Sequence, residues 1–208
     1  MLDFSIAGFL VAIFAASDVS LHLYLDVKKT RANEGVSFRE PSFHVSSAAM
    51  AAVVFSTLLT FLLVLVISVV WLIPGGIDVF DFFYLFYSDL PLVVWGIGLT
   101  LLLLGITLHG WARFERQEMA SSWAMKETQR LITSGPYSRV RHPSYTSYIL
   151  SFIGLFLMLP SIVTCLLFVG VWGYYAVAVT EEANLLQHFG AAYGEYMKRT
   201  GRLFPRFK

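Results

Sequence analysis

Apolar residues dominate five stretches of the chain, at about 4–24, 46–73, 90–112, 144–159 and 161–180, and polar residues are confined between them. The first three stretches are long enough to cross a hydrocarbon core of about 30 Å. The fourth and fifth are separated only by Leu159-Pro160-Ser161, where proline ends one helix and opens the next. The pattern predicts an all-α integral membrane protein of about five transmembrane helices. Its last two form a hairpin, either two full spans or a re-entrant pair, with both ends on one face. No internal repeat, low-complexity tract or shift in composition divides the chain, so residues 1–208 read as a single domain.

Charge then gives the pattern a direction. Lys28, Lys29, Arg31 and Arg39 lie between stretches one and two. Arg113, Arg116, Lys126, Arg130, Arg139 and Arg141 lie between three and four, and Lys198, Arg199, Arg202, Arg206 and Lys208 lie in the tail. Between two and three stand Asp78, Asp81 and Asp89 with no Lys or Arg. The positive-inside rule predicts an external N-terminus and a cytoplasmic C-terminus, with the regions at about 113–145 and 181–208 on the cytoplasmic side. Met1-Leu2-Asp3-Phe4 carries no basic lead-in, so the first stretch reads as a retained span. The aromatic run Ile77 to Tyr87 reads as an interfacial anchor.

Composition agrees: 57% hydrophobic and 14% charged, against about a quarter charged in an ordinary soluble domain. A net charge of +1 argues against nucleic acid as a partner, and membrane lipids are the expected surroundings. The single cysteine, Cys165, excludes an intrachain disulfide and reads as a buried apolar residue.

Chemistry-bearing residues concentrate in the last third. Leu131 to Tyr137 contains the turn signal Gly135-Pro136, and Arg141-His142-Pro143-Ser144-Tyr145 follows. Pro143 suits the first position of the fourth helix, which puts His142 at or next to its N-cap. The open N–H groups and dipole there favour an anion, such as a ligand carboxylate or phosphate. The plainer alternative is that His142 caps its own helix and Arg141 meets lipid phosphate. Glu181-Glu182 follows the fifth stretch and needs cations or donors; otherwise it is the solvated start of an amphipathic helix carrying Leu185, Leu186, Phe189, Tyr193, Tyr196 and Met197. Asp18, His22 and Asp26 recur every four residues on the first span. One helix does not enclose an ion, so pairing of His22 with Asp18 is preferred and no metal is expected. His109 is expected to hydrogen-bond a neighbouring helix.

The run from Trp123 to Tyr145, with Glu181-Glu182, Phe189-Gly190, Tyr193, Tyr196 and the ending Thr200-Gly201-Arg202-Leu203-Phe204-Pro205, resembles the isoprenylcysteine carboxyl methyltransferase family. That family sits among the phospholipid-methyltransferase-like membrane enzymes, and the ending is similar to its prokaryotic members. The resemblance covers roughly the C-terminal 90 residues. It implies S-adenosylmethionine as methyl donor, in a cytoplasmic site formed by the loop before helix four and the C-terminal amphipathic helix. By position, it carries cofactor contacts to Gln129, Arg130, Leu131, Ile132, Tyr137, His142, Pro143, Ser144, Tyr145 and Glu181. It carries catalytic roles to Glu181, Glu182 and Arg141, with His142 and its helix expected to meet the cofactor's carboxylate. The implied acceptor is lipophilic or prenylated and enters from the bilayer.

Two positions depart from the family. Gln129 stands where some members have histidine. Val177 stands one turn before Glu181, where carboxyl-methylating members carry an arginine. A substitute for that arginine would have to come from Arg113, Arg116 or Arg202 folding back to the site. A lipid-amine or thiol methyltransferase of the same fold stays open, with Glu182 as its base. So do a sterol-reductase-like enzyme using NADPH, which shares a similar Arg-His-Pro region, and a non-catalytic relative.

Overall fold

The computed structural model describes residues 4–32, 38–39, 42–70, 72–73, 91–117, 125–126 and 130–206. The expected interfacial anchor at 77–87, Trp123 and Gln129 lie outside the described residues. Among the described residues the fold is all-α apart from one two-residue strand pair. Helices α1 (Phe4–Ala32), α2 (Ser47–Val70), α3 (Leu92–Arg116) and α4 (Pro143–Met158) are followed by a short α5 (Ile162–Leu166). Helices α6 (Val169–Phe189) and α7 (Ala191–Arg199) complete the chain. Strands β1 (Phe38–Arg39) and β2 (Met125–Lys126) pair antiparallel, joining the α1–α2 and α3–α4 connections.

Among the described residues, four segments are long and apolar enough to cross a membrane: Ile6–Arg31, Ser47–Val70, Leu92–Arg116 and Ile162–Phe189. Helix α4, at 16 residues, reaches only about 24 Å at 1.5 Å per residue, short of a full hydrocarbon core. Large apolar side chains such as Phe9, Leu58, Leu65, Val93, Leu104 and Trp172 stand exposed around the bundle. That surface suits hydrocarbon and not water. The protein is an all-α integral membrane protein.

Lipid tails are as apolar as leucine, so helices hold together through close packing and polar contacts. Helices α3 and α4 form the most extensive pairing. A Cβ at Gly154 would lie 2.6 Å from the Leu102 backbone N, and one at Gly105 2.7 Å from the Ser147 carbonyl. Helices α2 and α6 pair similarly, with Gly170 against Ser56 and Gly173 against Ala49. Phe152, Leu155, Met158, Leu102, Ile67 and Tyr174 fill the core between these pairs.

The expected break at Pro160 is present. Helix α4 ends at Met158, and Ser161 caps α5 through a reciprocal capping box with Thr164. The short α5 leaves Cys165 exposed, against the expectation of burial. The expected single amphipathic helix after Glu181 is instead two pieces. Helix α6 continues through the glutamates to Phe189, and Gly190 then turns the chain with a positive φ of 55° into α7. Glycine enters that left-handed region at no steric cost, and other residues do not.

Candidate active site at the start of helix α4

Pro143 occupies the first turn of α4, and His142 is its N-cap with no side-chain cap bond. The side chain of His142 is spent elsewhere. Its Nδ1 lies 3.3 Å from Glu181 Oε2 and its Nε2 3.4 Å from Glu182 Oε1. The second contact is close but misaligned, since Nε2 makes no hydrogen bond. The imidazole also stacks on Tyr145, with ring centroids 5.2 Å apart and planes 7° from parallel. Burial opposes a charge on this ring, but the two carboxylates outweigh it and hold its pKa above the ordinary histidine value.

Glu182 is the anchor of a buried cation cage. Arg141 Nε donates to Oε1 at 2.8 Å and Arg202 Nη2 donates to Oε2 at 2.8 Å. Arg141 Nη1 donates to the carbonyls of Thr200 at 2.5 Å and Met197 at 3.2 Å. Arg202 also lies over the Tyr175 ring, 5.1 Å from its centroid. The glutamates are therefore neither solvated nor at a helix end: each is about 5% exposed or less. Two carboxylates one residue apart are tolerable there because three cationic groups surround them. Arg141 meets protein and not lipid phosphate.

The tail is strapped across this cage. Arg141 N–H donates to Gly201 O at 2.9 Å, His142 N–H to Arg202 O at 3.1 Å, and Gly201 N–H to Arg139 O at 3.1 Å. Gly201 is obligatory, because a Cβ there would sit 1.6 Å from the Phe204 carbonyl oxygen. The buried Thr146 hydroxyl donates to Leu203 O, fastening the tail to α4. Tyr196 of α7 donates its hydroxyl to Tyr137 O at 2.6 Å, so α7 holds the 3₁₀ turn Gly135–Ser138. Burial pushes the Tyr137 phenol up in pKa, partly offset by the charge of Arg116.

The structure thus brings together Tyr137, Arg141, His142, Pro143, Ser144, Tyr145, Glu181 and Glu182. Arg130 is exposed, and Leu131 and Ile132 are half-buried on the approach to the turn. Sequence reasoning missed two contributors and gave a third another role. Arg202, named as a cation for an acceptor's carboxylate, is instead a Glu182 ligand. Tyr175 sits beneath Arg202. Asn184, one turn from the glutamates, accepts from Phe43 N–H and donates to Phe43 O, each at 3.0 Å. That amide pair ties the α1–α2 connection to α6, and nothing local in the sequence foretold it.

Residues 93–192 match the family model described as phospholipid methyltransferase. The match runs from α3 into the first residues of α7 and includes Arg141, His142, Glu181 and Glu182. A protein-S-isoprenylcysteine O-methyltransferase of Schizosaccharomyces pombe is 38% identical over 77 residues, which is 36% of this chain and 33% of that protein. The cobalt-zinc-cadmium resistance protein CzcN of Cupriavidus metallidurans is 35% identical over 109 residues, 52% of this chain and 49% of that protein. A protein-S-isoprenylcysteine O-methyltransferase B of Arabidopsis thaliana is 37% identical over 76 residues, 36% of this chain and 39% of that protein. The matches support an isoprenylcysteine carboxyl methyltransferase family assignment. The chain spans half or less of the length of the curated relatives it matches.

The matched family implies a methyl donor, and the two glutamates differ in what they leave for such a ligand. Glu182 carries three cationic contacts, whereas Glu181 carries the 3.3 Å approach of His142 and a hydrogen bond from the Tyr145 hydroxyl. Glu181 is thus the carboxylate with acceptor capacity to spare. At the start of α4, Pro143 has no N–H and Tyr145 N–H bonds back to His142 O at 3.0 Å. The Ser144 N–H has no backbone acceptor among the described residues. A buried acceptor beside a helix start suits a ligand carrying amine or hydroxyl donors and a carboxylate.

Proposed function

We propose that the chain is a membrane methyltransferase that uses S-adenosylmethionine and acts on a lipophilic acceptor, with a prenylcysteine-type carboxylate preferred. The observation that carries the reading is the buried cluster of His142, Tyr145 and Glu181 at the start of α4. When bound, S-adenosylmethionine supplies an electrophilic methyl group on a sulfonium sulfur. Glu181 accepts hydrogen bonds from the cofactor's hydroxyl or amino groups. The start of α4, with the Ser144 N–H, takes its carboxylate. His142 orients Glu181, a narrower role than direct contact with the cofactor. Tyr137, Tyr145 and the 129–132 approach shape the pocket. Arg141 and Glu182 set the positions of these groups.

A carboxylate acceptor needs no general base, because its charge cancels that of the sulfonium as the bond forms. A water-poor site favours that charge loss, and positioning contributes the rest. The Lys and Arg distribution supports a cytoplasmic site. The family arginine's place is taken by Val177, which is 1% exposed. This favours, as the second reading, an amine or thiol acceptor. Glu182 is a weak candidate for the base of that reaction, since both its oxygens are engaged by guanidinium groups.

Methyl-labelled S-adenosylmethionine offered with a farnesylated cysteine analogue, and separately with total lipid, tests the reading. Base-labile label on the analogue supports carboxyl methylation, and base-stable label in lipid moves the acceptor to an amine or thiol. Label in neither refutes the activity. Glu181→Ala is expected to weaken cofactor binding at least about tenfold, on the scale of one charge-assisted hydrogen bond lost. Unchanged binding refutes its role.

A further inference from the structure

A second polar cluster lies in the middle of the first span, away from the α4 site. Asp18 and His22 of α1 face His109 of α3. Asp18 Oδ2 is 3.1 Å from His109 Nδ1 and 3.6 Å from His22 Nδ1. His22 Nδ1 also lies 2.9 Å from the Asp18 carbonyl oxygen. The two imidazoles stack at 4.6 Å, 13° from parallel, and Tyr148 sets its edge against His109 at 5.0 Å. The other oxygen, Asp18 Oδ1, is buried with no hydrogen-bond partner. Space is kept beside it, since a Cβ at Gly110 would come 3.0 Å from Oδ1.

An ionised carboxylate at that depth requires a cation. The three side chains each offer one ligand atom, all within 4.8 Å of one another. Zinc bonds to nitrogen and oxygen of about 2.0–2.2 Å give tetrahedral edges of about 3.3–3.5 Å. The observed 3.1 and 3.6 Å edges bracket that range. Two imidazoles and one carboxylate form a donor set that suits zinc, cobalt or nickel over magnesium or calcium.

The grouping differs from the one on the sequence, where Asp26 shared the face of Asp18 and His22. In the fold Asp26 is 62% exposed at its side chain and pairs with Arg113 Nη2 at 2.5 Å. The third ligand comes instead from another helix, which removes the objection that one helix cannot enclose an ion.

We propose that Asp18, His22 and His109 form a binding site for one divalent ion of the zinc class, bridging α1 and α3. The stacked rings require one imidazole to turn about its χ2 as the ion enters. A mostly apolar groove of about 410 Å³, lined by Asp18, Gly110, Thr107 and Trp111 among others, gives an approach beside the cluster. The fourth coordination position is left to water or another small ligand.

The test uses the full chain purified in detergent, stripped with chelator and titrated with Co2+. One equivalent per chain with visible d–d bands of a tetrahedral ion, displaced by Zn2+, is expected. Asp18→Asn and His109→Ala are each expected to bind at least about tenfold more weakly, since loss of even an outer partner costs that much. Glu195→Gln, on the exposed face of α7, keeps wild-type binding. His109→Cys gives a test that does not depend on loss of signal: a thiolate-to-cobalt charge-transfer band is expected. A flat wild-type titration, equal binding in Asp18→Asn and His109→Ala, or no new band in His109→Cys overturns the proposal.

Discussion

Truncating Arg141 probes the frame of the α4 site most directly. Arg141→Ala removes the 2.8 Å pair with Glu182 and the bonds to the Thr200 and Met197 carbonyls. The pair is buried on both sides, at 8% and 4% side-chain exposure, so solvent screening does not rescue it. Removing one partner of such a pair leaves an uncompensated charge, at a cost of about 3–5 kcal/mol. At roughly 2–4 °C per kcal/mol for a chain of this size, the apparent unfolding midpoint falls by roughly 6–20 °C. Arg141→Lys falls less than alanine but does not recover wild type, because a point ammonium cannot serve a carboxylate and two carbonyls in a fork. Midpoints are read by circular dichroism in one detergent, beside Glu182→Gln and the double variant. A single network requires the double loss to be smaller than the sum, with a coupling of about 0.5–3 kcal/mol. A drop below about 2 °C for Arg141→Ala, or strict additivity, refutes the account of Arg141 as the keystone of the frame.

Two further outcomes follow from the same geometry. Gly201→Ala places a Cβ 1.6 Å from Phe204 O, so the tail strap must shift, with an expected loss of about 1–3 kcal/mol. The check is the unfolding midpoint together with protease cleavage of the tail, and an unchanged tail would refute the strap. His142 has its pKa raised in the folded state, so its stabilisation is complete below the ordinary histidine value and lost as pH rises through the folded value. The midpoint is therefore expected to fall on the alkaline side of about pH 6.5 and to lose that slope in His142→Asn; equal slopes in the two proteins would contradict the reading.

The hydropathy pattern made the helices legible because a span has one dominant requirement, about 20 apolar residues, that no tertiary contact overrides. Pro143 and the break at Pro160 were legible for the same local reason: each marks a helix boundary by its own backbone chemistry. The α6–α7 break was less so, because the periodicity of Leu185 to Met197 continues through Gly190 and only the positive φ reveals the corner. The order of Arg141-His142-Pro143 and Glu181-Glu182 pointed to one site, yet the partner of each charge was not readable. Arg141 closes on Glu182 across 41 residues and Arg202 on it across 20. Such pairings are set by how α4, α6 and the tail are packed and by no spacing in the chain. His109 shows the same limit, since it completes a cluster with Asp18 91 residues away.

The acceptor side follows from the same accounting of charges. Val177 lies one turn from Glu181 and is sealed in the core, so it offers an acceptor's carboxylate no cation. Arg113 is spent on Asp26 and on Gln117 O at 2.6 Å. Arg202 is spent on Glu182 and the Tyr175 ring. Arg116, half-buried at the end of α3, makes no ion pair among the described residues, and its charge is felt at Tyr137 in the site. Of the three arginines Arg113, Arg116 and Arg202, Arg116 is thus the one a carboxylate acceptor is expected to use, whereas an amine or thiol acceptor has no need of it. With the labelled donor, Arg116→Ala raising KM for the farnesylcysteine analogue at an unchanged cofactor affinity would tie the carboxylate to that cation. An unchanged KM would remove Arg116 from the acceptor side and count against the carboxylate reading.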